Sequence, residues 1–151
     1  MTRQRIIKAI DAVTATTVSS KYWVGGAKRI GFLFRRANHS SGSTAFSVKA
    51  SLESYETGNG AQDAYGNRTG GAGVTMTALS MLLNNAANTN AQTRLRTASV
   101  SLAANGDAFA WLEPDILVNW LEVTATETTD GTHSAWIIVE EEVPNGQGQF
   151  A

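Results

Sequence analysis

The chain has 151 residues, a formal net charge of -1 and no cysteine. That length supports one domain with a real core. The near-neutral balance gives no global attraction to nucleic acid or an anionic membrane, and the missing thiols exclude a disulfide framework and a thiolate metal site.

Charged residues make up only 17% of the chain, against a typical ~25%. Ala, Thr, Ser, Asn and Gly set the texture. It suits strands joined by small-residue loops, and a surface partly covered by neighbours. No apolar run approaches the ~20 residues that a bilayer-spanning helix needs. No apolar signal core develops after Arg3, Arg5 and Lys8, so no secretory signal is read.

Residues 2–10 place Ile6, Ile7 and Ile10 at a spacing that fits a small helical stripe or an extended arm. Two readings follow. One is a frayed terminus laying isoleucines on the domain. The other is a basic arm, residues 1–11, that docks Arg3, Arg5, Ile6 and Ile7 on a partner. Residues 12–24 are rich in β-branched side chains and read as one edge strand or two short ones. Gly25-Gly26 breaks them.

The organising stretch is 28–55. In its first arm Ile30, Phe32 and Phe34 share a face; in its second, Phe46, Val48, Ala50 and Leu52 do. A period of two marks half-buried strands. The Asn-Ser-Gly connector 37–43 is longer than a tight hairpin loop, and direct pairing of the two arms is expected. Residues 56–73 carry six glycines and read as a long loop. Tyr65 and Arg68 are its candidate contact residues; plain disorder is the other reading.

Residues 74–83 and 93–102 are each expected to form one strand, with a short helix at 79–84 as the competitor for the first. Asn105-Gly106 and Asp130-Gly131 read as hairpin turns. Pro114 with Asp115 reads as a one-turn helix start or a turn. The last strand alternates Ala135, Ile137 and Val139 with Trp136 and Ile138. Apolar mass on both faces makes it central, or makes its second face an interface. Residues 144–151 read as a flexible tail. The sum is a single-domain, all-β antiparallel sandwich of about eight strands over residues 12–143, jelly-roll-like.

No catalytic set emerges. His39 and His133 sit among small polar turn residues, as solvated histidines do, and no carboxylate stands at ligand spacing to make a zinc site with them. There is no nucleophile elbow, the glycines of 56–73 do not open a helix to cradle phosphate, and no calcium-loop spacing is present. The chain is therefore expected to be no enzyme and to need no cofactor or metal. Trp23, Trp111, Trp120 and Trp136 are many for this length. They read as core and edge packing, or as a platform for a sugar or a protein, with Trp136 and Ile138 the exposed candidates. Arg35, Arg36, Arg94 and Arg96 offer cations for ion pairs across an interface or for solubilising the outer sheet.

The stretches 31–48 and 121–132 resemble small β-sandwich structural proteins of tailed bacteriophages, above all the auxiliary head proteins that decorate or cement the capsid. The likeness lies in texture, size and strand order, over roughly residues 20–142. It implies a non-enzymatic virion protein on the outer capsid surface, binding major capsid protein as a dimer or trimer, with no nucleic-acid or membrane partner. The alternative is a tail adhesin or carbohydrate-binding module that takes a glycan on an exposed tryptophan.

Overall fold

A strand that is apolar on one face must bury that face against a second layer, and this chain does so with two antiparallel sheets. The computed structural model describes residues 1–57, 62–71, 73–84 and 94–142. Its strands are β1 (Thr2–Val13), β2 (Thr17–Val18), β3 (Lys21–Trp23), β4 (Ala27–Ala37), β5 (Thr44–Ser51), β6 (Thr69–Gly70), β7 (Thr77–Leu79), β8 (Met81–Asn84), β9 (Arg94–Thr97), β10 (Val100–Leu102), β11 (Gly106–Trp111), β12 (Trp120–Glu127) and β13 (Thr132–Glu142). A six-stranded sheet runs β1-β13-β4-β11-β8-β9. A seven-stranded sheet runs β10-β5-β12-β3-β6, with β2 beside β12 and β7 beside β5.

Four of the pairings follow a simple order. β1 pairs with β13, β3 with β12, β4 with β11, and β5 with β10. That is one long antiparallel ribbon, its two halves running in opposite directions, rolled up so that alternate rungs land in opposite sheets. It is the winding of a jelly roll, and it accounts for eight principal strands among the thirteen. Phe32, Phe34, Ile7 and Ile137 of one sheet meet Phe46, Leu121, Val123 and Val48 of the other, all but fully buried. Phe34 stacks on Phe46 across the layers at 4.7 Å. Each such side chain contributes roughly 1.5–3 kcal/mol by leaving water.

All three turns read as hairpins instead carry the chain from one sheet to the other. The two arms of 28–55 are β4 and β5, and they lie in opposite sheets, face to face rather than edge to edge. Asn105-Gly106 joins β10 to β11, and Asp130-Gly131 joins β12 to β13, again across the sandwich. The glycines are needed, but for arches: Gly42 has φ 71° and Gly131 has φ 124°. A side chain at Gly131 would stand 2.9 Å from Arg36 Nε, and one at Gly42 would collide with Thr129.

Arg36 holds these arches together. It alternates inward with Phe32 and Phe34 and is 1% exposed. Its guanidinium donates to the carbonyls of Ser41 and Gly42 (both 2.8 Å), Leu102 (3.2 Å) and Asp130, and to the Glu127 carboxylate (3.2 Å). One side chain thus satisfies acceptors from all three crossings at this end. The Asp130 carboxylate in turn accepts from the hydroxyl of Ser40 and from the backbone N–H groups of Ser40 and Ser41. Those bonds, led by the Ser40 hydroxyl, hold its pKa down at about 2. Burial opposes ionisation of Glu127. Bonds from Thr44 and the Thr129 N–H, with the charge of Arg36, outweigh it and keep that carboxyl below its ordinary value.

Other expectations are revised. Residues 2–10 form neither a helix nor a separate arm, and the boundary between 11 and 12 falls inside β1, which pairs with β13 along its length. The stretch 74–83 divides into β7 and β8, and 93–102 into β9 and β10; each pair is split between the sheets. Of the two readings at Pro114-Asp115, a helix start or a turn, the turn is found, with Ile116 N–H donating to Glu113 O. His133 is fully buried, not solvated, with Nε2 2.8 Å from Ala15 O. The central position expected for the last strand is found, between β1 and β4. The tail 144–151 lies outside the described residues.

Candidate functional site

The outer faces of the two sheets differ. On the seven-stranded sheet, Trp120 points away from the main core yet is fully buried. Glu53, Ser54 and Gly70 lie against it. Its Nε1–H donates to Glu53 O (3.1 Å), Trp23 packs edge-on against it at 5.1 Å, and Tyr55 closes on Trp23. Arg68 stacks on Tyr55 at 4.4 Å. Much of the expected long loop is therefore a cap, with Thr69–Gly70 paired to β3. Two of the four tryptophans serve this second, smaller core.

On the six-stranded sheet, no described segment covers the outer face. Strand register builds rows across it. One row runs Ile6, Ile138, Gly31, Trp111, Leu82, Arg96. The next runs Lys8, Trp136, Leu33, Phe109. Ile6 is 62% and Phe109 57% exposed; Leu33, Leu82, Trp111, Trp136 and Ile138 are half-buried. The missing side chain at Gly31 leaves a groove of about 510 Å³ between Ile138 and Trp111, with Phe109 and Leu82 on its wall and Gln4, Arg29 and Glu140 at one end.

Charges frame this apolar band in pairs. Arg29 grips Glu140 at 2.7 and 2.9 Å, and Arg35 grips Asp107 at 2.8 and 3.0 Å. Lys8 meets Asp11 at 2.8 Å, and Arg96 meets Glu113. The Arg35 hydrogen bond holds the Asp107 carboxyl below its ordinary range. Each of these four pairs is neutral in itself. Lys8 and Arg35 also flank the Trp136 indole, 5.4 and 5.1 Å from its centre, which takes ring area that a sugar would stack on.

Of the eight residues singled out from sequence, three meet on this face: Ile6, Trp136 and Ile138. Ile7 points the other way and is wholly in the core. Arg5 is an internal brace, donating to Glu141, Asn67 Oδ1 and Trp23 O and so tying the two sheets. Arg3 pairs with Glu141 at the sheet margin. Arg68 belongs to the cap, and Tyr65, 78% exposed, stands on the adjoining Asp63–Asn67 turn. Leu33, Leu82 and Phe109 escaped notice, since nothing in their local pattern tells which strands they join. A second apolar surface lies at the edge of the seven-stranded sheet, a cleft of about 420 Å³ beside the exposed Leu52 and Leu117. Among the described residues no three His, Asp or Glu side chains converge as metal ligands would.

No family model matches the chain, and no curated protein sequence matches it. Among solved structures it is similar to the crystal structure of the SPBc2 prophage-derived protein YomS, with a TM-score of 0.55 and 15% identity over 93% of this chain and 96% of that one. At that identity the likeness concerns the fold alone. Infectious bursal disease virus, Gx strain, aligns with a TM-score of 0.41 and 13% identity over 97% of this chain and 34% of that one. The VP2 subviral particle of the same virus aligns with a TM-score of 0.25 and 11% identity over 97% and 43%. Neither of these last two carries weight here.

Proposed function

We propose that this chain is a non-enzymatic structural protein of a phage virion that binds the outer surface of the capsid and stabilises contacts between major capsid protein subunits. The observation that carries the reading is the apolar outer face of the six-stranded sheet, which no described residue covers, opposite a face that the chain caps for itself. Exposed apolar bands with aromatic centres and polar rims belong to protein contact surfaces. Paired charges at the rim suit a protein partner better than a polyanion, which calls for unpaired cations. The cleft at Leu52 and Leu117 supplies a second apolar surface, and a protein that bridges subunits needs more than one. The similar fold of a prophage-derived protein supports a phage setting.

The test is co-sedimentation of the purified chain with mature phage heads that lack it. Binding that saturates at a fixed multiple of the capsid symmetry sites supports the reading. Absence from heads, with retention on a glycan array or in tail fractions, refutes it in favour of an adhesin.

A further inference from the structure

We propose that the outer face of the six-stranded sheet, uncovered by any described residue, is occupied by a second copy of this chain, with Phe109 of each copy seated in the Gly31 groove of the other. The capsid reading is not needed for this; it names what fills one of the two apolar surfaces. A two-fold contact must be self-complementary, each patch carrying both a projection and the hollow that receives it. This face has both. Phe109 projects on β11, two residues from Trp111 and therefore on the same side of the sheet. Trp111 pairs with Gly31 on the neighbouring strand, where the groove opens. Projection and hollow are thus diagonal neighbours, and a two-fold axis between them exchanges the two.

Charge and area agree. The Arg29–Glu140, Arg35–Asp107, Lys8–Asp11 and Arg96–Glu113 pairs are each neutral, so these groups do not repel an identical face. Six strands span five spacings of ~4.8 Å, about 24 Å, and six residues along them span about 20 Å. Two faces of that plan bury on the order of 1,000 Å² together, the size of a weak, reversible contact. The sheet's β1 edge is a poorer route to pairing. Arg3, Arg5 and Lys8 line it, and its register shifts after Lys8 and after Ile10; charges and bulges are how edge strands resist joining.

The experiment is light scattering on the full chain after size exclusion, from about 1 to about 100 µM, where contacts of this size dissociate. The expected result is a concentration-dependent rise to twice the 16.0 kDa chain mass. Phe109→Ser removes the projection from an exposed position. Gly31→Val fills the groove, where a Cβ meets nothing nearer than 3.6 Å and the backbone is not in the left-handed region. Each should weaken dimerisation at least tenfold with the fold kept, as read by circular dichroism, while Leu117→Ser leaves it unchanged. A wild-type chain that stays monomeric throughout overturns the proposal, whether a glycan or the shell proves to hold the groove. So does a dimer indifferent to both face variants. A monomer that binds heads leaves the capsid reading standing without this one; a dimer that fails to bind heads does the reverse.

Discussion

Replacing Arg36 by alanine strips the arch end of the sandwich of its shared donor. Four backbone carbonyls, from Ser41, Gly42, Leu102 and Asp130, lose a partner, and the Glu127 carboxylate, itself 6% exposed, loses its cation. Breaking a buried pair from one side costs about 3–5 kcal/mol, since it leaves the other charge uncompensated. Taking about 4 kcal/mol, and about 2–4 °C per kcal/mol for a domain of this size, Tm falls by roughly 8–16 °C. Lysine restores the charge but not the fork, so Arg36→Lys recovers less than half of the loss, about 1–2 kcal/mol. The neighbouring Arg35 is the control: its pair with Asp107 is open to water, 48% and 38% exposed, and solvent screening leaves Arg35→Ala with little effect on stability. Urea unfolding followed by tryptophan fluorescence measures all three. If Arg36→Ala proves no more costly than Arg35→Ala, the arches are held by their own backbone geometry and the clasp is incidental.

Acid should attack the same end. Asp130 and Glu127 have folded pKa values below their unfolded ones, so their stabilisation is present above the ordinary carboxylate range and is lost as pH falls through the folded values, about 2 for Asp130; a Tm series over that window should flatten in Asp130→Asn. Gly131→Ala, forced to a positive φ and against Arg36 Nε, should cost about 1–3 kcal/mol, and less in an Arg36→Ala background because the colliding atoms are gone, a coupling that a double-mutant cycle measures. Trp120→Phe removes the indole donor to Glu53 O, and should cost about 1–2 kcal/mol while making residues 53–75 the first site of limited proteolysis. Adjacent isoleucines should diverge in thermal unfolding: Ile7→Ala by about 2–5 kcal/mol, Ile6→Ala by no more than about 0.5 kcal/mol.

Residues that alternate with period two were legible because a strand's own geometry sends neighbours to opposite faces. Ile30, Phe32 and Phe34, and Phe46, Val48 and Ala50, are therefore where the pattern puts them, in an antiparallel sandwich whose last strand is central; Leu52, expected on the same face, lies past the end of β5 and is 63% exposed. The same alternation could not say what each strand pairs with. An apolar face is satisfied equally by a hairpin partner folded against the next layer or by its sequence neighbour lying in that layer. Asn-Gly and Asp-Gly fix a reversal of direction, not the plane of the reversal. So Asn105-Gly106 and Asp130-Gly131 were recognisable as turns, and only packing made them arches.

Arg36 shows the limit from the other side. It stands among the apolar positions of β4, two residues beyond Phe34. Period two turns it inward, opposite to Arg35, but its partners come from loops up to 94 residues away, and nothing local names them. The outer face of the six-stranded sheet has the same character. Trp136 and Ile138 announced themselves on one strand, but Phe109, Leu82 and the hollow at Gly31 join them only through the register of separate strands. What the sequence determined by itself is the layering: which residues go inward, since that depends on period alone. What only the tertiary structure decided is adjacency, because the rolled ribbon sets strands distant in the chain side by side, and adjacency is what makes a surface.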